Sequence, residues 1–350
     1  MNRNDFAEMK RFLIPILALC TLSSCYGDYV MDYDYTAAYA AFQYDLRTFV
    51  CGEDVEVGFT TALGGVISNK KDRKVEVVID NTLLNSDLSA FDPSHEAAPF
   101  TALDGLLGNA KIGTLSQEYV SKEVQASGIA GLEALPESYY TTSGPVTIKK
   151  GYHTGNLFLY PTEEMFSDAK ILKPYYALAF RIVSAETDSL ILDKSFEIIT
   201  VKVENRFWGY WYHGGRRVVT DDADGSVLST DTYSMKIPQA ETALYTLTTE
   251  TFNSVLTDKF SNQAGNLRLT FLADGGVQVD DVAGGRTLSE IAGIPSRHNC
   301  ARLIQDREIY LNYTYSNGDG TTTTVTDTLA FRNRIRDGIN EWQDENTDNY

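Results

Sequence analysis

An all-β fold is what this sequence predicts: an N-terminal immunoglobulin-like sandwich followed by a β-meander closed as a barrel or a second sandwich. Three observations predict it. Apolar residues recur with period two rather than 3.6, the alternating runs are short, and Gly, Asn and Pro separate them. At 350 residues with 43% hydrophobic residues, the chain is long and apolar enough to bury cores for two domains.

The strands follow in order. Val55, Val57 and Phe59 alternate with Glu56, Gly58 and Thr60, and Val75, Val77 and Ile79 alternate with Glu76, Val78 and Asp80. Such alternation reads as half-buried strand. Residues 84–134 are polar, rich in Ala and Gly and less periodic, as expected of an insertion with a short helix near 116–123. Leu178, Phe180 and Ile182 resume the pattern, and Phe196, Ile198, Thr200 and Lys202 oppose Glu197, Ile199, Val201 and Val203. Short strands at this spacing predict an antiparallel sandwich over residues 36–204.

An aromatic burst from Phe207 to Tyr212 then opens a second domain, residues 205–350. Leu267, Leu269 and Phe271 alternate into Ala273-Asp274-Gly275-Gly276 and return through Val277 and Val279, a hairpin signal. Ile309, Leu311, Tyr313 and Tyr315 do the same around Ser316 to Gly320, returning through a Thr-rich strand to Val325, Leu329 and Phe331. Consecutive hairpins imply an up-and-down meander. Thr287 and Glu290 have capping-box spacing and predict a brief helix.

The N-terminus carries a different signal. Lys10-Arg11 precedes an apolar run from Phe12 to Leu19, too short for the ~20 residues that span a bilayer, and Leu22-Ser23-Ser24-Cys25 follows. This order is that of a secretory signal, residues 1–24. The tetrad looks like a lipobox, with Cys25 as the lipidated residue and an acidic tether over 25–35 that includes Asp28, Asp32 and Asp34. Lipid attachment at Cys25 would place the chain on a membrane without any basic patch. A net charge of -18 repels phosphate backbones, which excludes nucleic acid as a partner. Of the remaining cysteines, Cys51 and Cys300 belong to different domains and are expected to be buried free thiols.

Several segments resemble a known family. Arg47–Val50 with Glu53–Val57, the stretch Leu135–Tyr140, Val146–Gly151 and Tyr176–Ser184 resemble a domain of unknown function in Bacteroidota surface lipoproteins, one that also precedes family 18 glycoside-hydrolase-like modules. The stretch from Trp208 to Gly338 resembles its usual C-terminal partner domain. The resemblance implies context: such lipoproteins hold carbohydrate at the cell surface beside glycan-import machinery. A glycan ligand, an outer-membrane lipid anchor facing the exterior and a transporter complex are therefore the partners it implies.

Catalytic groups are not evident. Asp280 and Asp281 are strand neighbours and point to opposite faces, wrong for a paired acid and base. His95, His153, His213 and His298 show no metal-ligand spacing, and no nucleotide or nucleophile motif occurs. Asp221-Asp222-Ala223-Asp224-Gly225 lacks the full spacing of a calcium loop and reads as an acidic hairpin turn. No cofactor, metal or catalytic activity is expected. Aromatics remain: sugars present flat C–H faces, which exposed rings flanked by polar groups can hold. Alternation puts Phe207, Trp211 and His213 on one face and Trp208, Tyr210 and Tyr212 on the other. One face is core; the other is a candidate platform. The candidates are Trp208, Tyr210, Trp211 and Tyr212, with Arg216 and Asp222 for hydroxyls, and Tyr139, Tyr140, Tyr152 and Trp342 as weaker ones. An adhesin or accessory subunit is the alternative, and a glycosidase with unfamiliar acids the third reading.

Overall fold

A computed structural model describes residues 35–84, 120, 123, 124, 126–129, 132–235 and 240–344. Cys25, the signal segment 1–24, most of the tether and residues 116–119 lie outside the described residues. The N-terminal part contains β1 (Ala37–Ala40), β2 (Tyr44–Val50), β3 (Val57–Gly64), β4 (Arg73–Ile79), β5 (Glu133–Ala134), β6 (Tyr140–Thr142), β7 (Val146–Ile148), β8 (Thr154–Pro161), β9 (Tyr176–Ala185), β10 (Ser189–Leu190) and β11 (Phe196–Glu204). They form two sheets, ordered β10-β1-β3-β8-β6 and β2-β11-β9-β4-β7, the second with β5 added beside β9. Phe59 of one sheet meets Phe180 of the other with ring centroids 5.2 Å apart, inside a core that also holds Val57, Leu159, Leu178, Ile199 and Val201.

The first strand changes sheets. Ala41 N–H still bonds to Thr60 O of β3, while Gln43 O already accepts from Ile198 N–H of β11. The chain runs on in the same sense through residues 41–43, and β2 then lies parallel to β11. This couples the two sheets covalently at one edge, as expected of an immunoglobulin-like sandwich.

Two strands depart from the half-buried expectation. β9 and β11 are buried on both faces for most of their length. The reason is a second apolar layer: Leu83, Leu84, Val120, Val124 and Leu132 cover Tyr44, Leu46, Ala177, Ala179, Phe196 and Ile198 on the outer face. Val120, Glu123, Val124 and Ala126 are helical, so the short helix of the insertion reaches three residues beyond the predicted end. Covering the outer face turns alternation into continuous apolarity, as in any strand buried on both sides.

After Glu204 the chain crosses into one curled sheet. Its strands are β12 (Gly209–Asp221), β13 (Val227–Tyr233), β14 (Tyr245–Thr251), β15 (Ser254–Phe260), β16 (Gln263–Phe271), β17 (Val277–Asp281), β18 (Ser289–Glu290), β19 (Arg297–His298), β20 (Glu308–Ser316), β21 (Thr321–Arg336) and β22 (Ile339–Glu341). The order β17-β16-β15-β14-β12-β21-β20-β18 makes a meander with one long-range pairing, β12 with β21. The predicted hairpins are present: Phe271 faces Val277 and Leu269 faces Val279, while Tyr315 faces Thr323 and Tyr313 faces Val325. Ile309, Leu311, Tyr313, Val325, Leu329 and Phe331 point inward onto Trp211, Tyr245 and Leu267. The molecule is thus all-β, a sandwich followed by a half-barrel.

The helix expected at Thr287 to Glu290 is absent. Ser289 and Glu290 instead pair with Thr314 and Tyr313 as β18, because ladder bonds to β20 satisfy backbone groups that an isolated helical turn would leave open. Cys51 is half-buried and Cys300 is exposed, so only one of the two thiols is sheltered. Burial, followed by the neighbouring charge of Glu204, pushes the Cys51 thiol up to about 11. Gly209 has φ of +132°, and a Cβ there would stand 2.8 Å from Asn333 O, so only glycine fits where β12 bulges against β21.

Candidate ligand cleft between sandwich and half-barrel

The loop joining β2 to β3 projects toward the half-barrel. It turns tightly at Gly52, with Glu53 N–H bonded to Val50 O and Cys51 N–H to Glu204 O, which fixes Glu53 at the junction. On the other side, β21 and β22 form a hairpin through Asp337-Gly338. Both residues have positive φ, 52° and 82°, as two-residue hairpins prefer. Asp337 is further held by Thr48, whose N–H and hydroxyl donate to its carboxylate at 3.1 and 2.8 Å. The chain after β22 is pinned where Ile304 N–H donates to Asp344 Oδ2 at 2.8 Å.

Between these elements lies a cleft of about 890 Å³. Its apolar lining is Val55, Ile304, Ile339 and Trp342, and its amides are Asn340 and Gln343. Trp342 is 57% exposed, a free indole in a polar surround. The floor is an ion network. Arg334 Nη1 and Nη2 donate to Glu53 at 3.1 and 2.7 Å, its Nε donates to Glu341 at 2.6 Å, and Arg307 reaches Glu53 at 2.7 Å. Arg336 also pairs with Glu341. Burial opposes ionisation of Glu53, but the hydrogen bonds and charge of Arg334, then Arg307, outweigh it and hold its carboxyl below the usual range. Glu341 is lowered in the same way, burial being overcome by Arg336 and Arg334. Asp54 and Glu56 are exposed and have no ionic partner among the described residues.

Of the residues nominated from sequence, Trp342, a weaker candidate, lines this cleft, and the others do not. Trp211 has no exposure; its Nε1 donates to Phe207 O at 3.0 Å and its ring meets Phe331 edge-on at 5.4 Å. It is a core residue, because the inward face of β12 is the half-barrel interior. Trp208 is half-buried with the Arg334 guanidinium 5.7 Å from its ring centre, so it backs the ion network. Tyr210 and Tyr212 lie half-buried on the outer face of β12. Arg216 and Asp222 are exposed farther along; Arg217, not Arg216, pairs with Asp231. Asp221 and Asp224 accept N–H bonds from Ala223 and Ser226 within their own turn, as an acidic hairpin requires.

Tyr139 donates to Asp168, Tyr140 is half-buried, and Tyr152 is exposed on the sandwich, so none of the three reaches the cleft. Cys25 lies outside the described residues. Sequence reading missed Glu53, Asp54, Glu56, Arg334, Arg336 and Asn340; the Asp337-Gly338 dipeptide before Trp342 was the available signal. Among the described residues no cluster of His, Cys, Asp and Glu is arranged to hold a metal, and no helix is long and apolar enough to cross a membrane.

No protein-family model matches the chain, and no curated protein matches it. Solved structures do. A structural-genomics protein of unknown function from Bacteroides ovatus shares 18% identity with a TM-score of 0.58, over 86% of this chain and 95% of its own. This shows the fold: the chain has the architecture of a Bacteroides protein of unknown function. A multidomain protein including DUF1735 from Bacteroides ovatus is 13% identical, at a TM-score of 0.36, over 90% of this chain and 99% of its own. An auxiliary nutrient binding protein from Bacteroides thetaiotaomicron is 15% identical, at 0.32, over 84% and 92%.

Proposed function

We propose that this is a lipid-anchored protein of the outer membrane, facing the cell exterior, that binds glycan in the cleft without cleaving it and passes it to a transporter complex. The observation that carries the reading is Trp342. An exposed indole offers a broad flat face to a sugar's C–H face, and here it stands beside amides and carboxylates that suit hydroxyl groups. The ion network supports the same reading, since fixed walls bind with less loss of freedom than mobile ones. Calorimetric titration of the mature chain against a broad panel of oligosaccharides tests it. Binding that is lost in Trp342→Ala is expected; no heat with any sugar overturns it. Release of reducing ends from a bound sugar would instead make the protein a glycosidase.

One observation favours an adhesin or accessory subunit. β13 pairs only with β12 among the described residues and exposes Val227 and Leu228, an open edge of the kind a partner strand can extend. That reading predicts co-purification with another surface protein and no response to sugar.

A further inference from the structure

We infer that the cleft discriminates by charge: it takes saccharides without acidic groups, neutral or amino-bearing, and turns away uronate and sulfated chains. This rests on the glycan reading and adds a substrate class to it.

Five carboxylates line the cleft (Glu53, Asp54, Glu56, Glu341 and Asp344) against two guanidiniums, Arg334 and Arg336. Both guanidiniums are already committed. Arg334 is buried and uses all three of its nitrogens on Glu53 and Glu341, and Arg336 is paired with Glu341. Arg307 lies buried behind Glu53 and faces it rather than the opening; counting it leaves the acids in excess. Among the described residues, an incoming carboxylate or sulfate would therefore find no unpaired cation in the lining to receive it.

It would also meet Asp54 and Glu56. Both are exposed, only two residues apart, and without an ionic partner among the described residues. Recognition of acidic sugars uses the forked donors of a free arginine, and here those donors are turned into the floor. The chain's net charge of -18 extends the same sign beyond the cleft and slows the approach of polyanions. Sugar hydroxyls are suited differently: carboxylates accept from them, Asn340 and Gln343 offer both donor and acceptor, and Trp342 covers a C–H face.

The test compares a neutral galacto-oligosaccharide, an oligogalacturonate of equal length and a glucosamine oligomer, titrated into the mature chain in 20 mM and 500 mM NaCl. The neutral and amino sugars are expected to bind, with the uronate at least tenfold weaker in low salt. The gap should narrow in high salt, where charges are screened within roughly a few ångströms. It should also narrow in the Asp54→Asn, Glu56→Gln double variant, whose positions are exposed and without an ionic partner among the described residues, so that folding stays intact. Uronate bound as tightly as the neutral sugar, or a gap indifferent to both salt and the double variant, overturns the inference and leaves glycan binding standing. If none of the three binds and the wider panel is also silent, glycan binding itself fails and the inference with it.

Discussion

Arg334 and Glu53 form a forked ion pair across the junction: two guanidinium nitrogens of β21 donate to the two carboxylate oxygens of a loop in the sandwich, 3.1 and 2.7 Å away. The same guanidinium holds Glu341 and supports the cleft hairpin, so one side chain ties the two halves of the molecule to the wall of the cleft. Removing one partner of a buried pair strands the other charge, which costs more than the pair itself contributes. Glu53→Gln is expected to destabilise by about 3 kcal/mol, read as a lowered thermal midpoint. It should also bring faster proteolysis near residue 205. A midpoint unchanged from the parent would show that the junction is not held here.

Acid should act on the same network. Glu53 and Glu341 are held below the ordinary carboxyl range, so folded protein keeps them ionised at a pH where the unfolded chain has begun to protonate. Their stabilisation is complete above the unfolded value of about 4.3 and is lost as pH falls through the lower folded values. Melting temperatures should fall below roughly pH 4.5, with a shallower fall in Glu53→Gln. An equal acid slope in the variant would assign the loss to other groups.

Glu197 should show the opposite sign. It lies fully buried on the face of β11 that carries Ile199 and Val201, and burial, followed by the charge of Asp45, raises its carboxyl well above the usual range. The folded state holds a proton that the unfolded chain releases, so stability falls as pH rises between the two values. Glu197→Gln, which keeps the shape and never ionises, should gain stability over the parent, more at pH 8 than at pH 5. Denaturant titration at the two pH values checks this; a gain that does not grow with pH would contradict it.

The two tryptophans at opposite ends of the exposure scale should separate binding from folding. Trp342→Ala should weaken sugar binding by about 2 kcal/mol, some 30-fold, with a melting curve close to the parent's. Trp211→Ala should cost about 3–5 kcal/mol of stability, since it empties the half-barrel core beside Phe331. Near-UV circular dichroism and titration of both variants distinguish the roles.

Gly209→Ala asks for a side chain where φ is +132° and Asn333 O stands 2.8 Å from the new atom. The conformation and the contact are both unfavourable, and a loss of more than about 1 kcal/mol is expected. A thermal shift measurement is sufficient.

The period-two runs were legible because each strand has one inward face: Ile309 to Tyr315 and Val325 to Phe331 could be read directly as half-barrel wall. The alternation failed at β9 and β11, where a layer drawn from distant residues such as Leu83 and Val124 covers the second face. The cleft was harder still. Its parts sit at residues 53–56, 304 and 334–344, and nothing local marks Glu53 as the partner of an arginine far along the chain. Aromatic density drew attention to Trp208 and Trp211, yet density is a property of cores as much as of platforms. Trp342, isolated among polar residues behind an Asp-Gly turn, is the tryptophan that the structure leaves exposed.

The change of sheet near Phe42 also sets a direction. Because β1 and β2 run on in one sense, residue 35 stands at one pole of the sandwich, while Val50, Glu204 and the mouth of the cleft stand at the other. From Ala37 to Val50, near-extended chain at ~3.3 Å per residue separates them by on the order of 40 Å. With acyl chains on Cys25, the sandwich would serve as a mast, lifting the binding mouth clear of the lipid headgroups and out among the polymers around the cell.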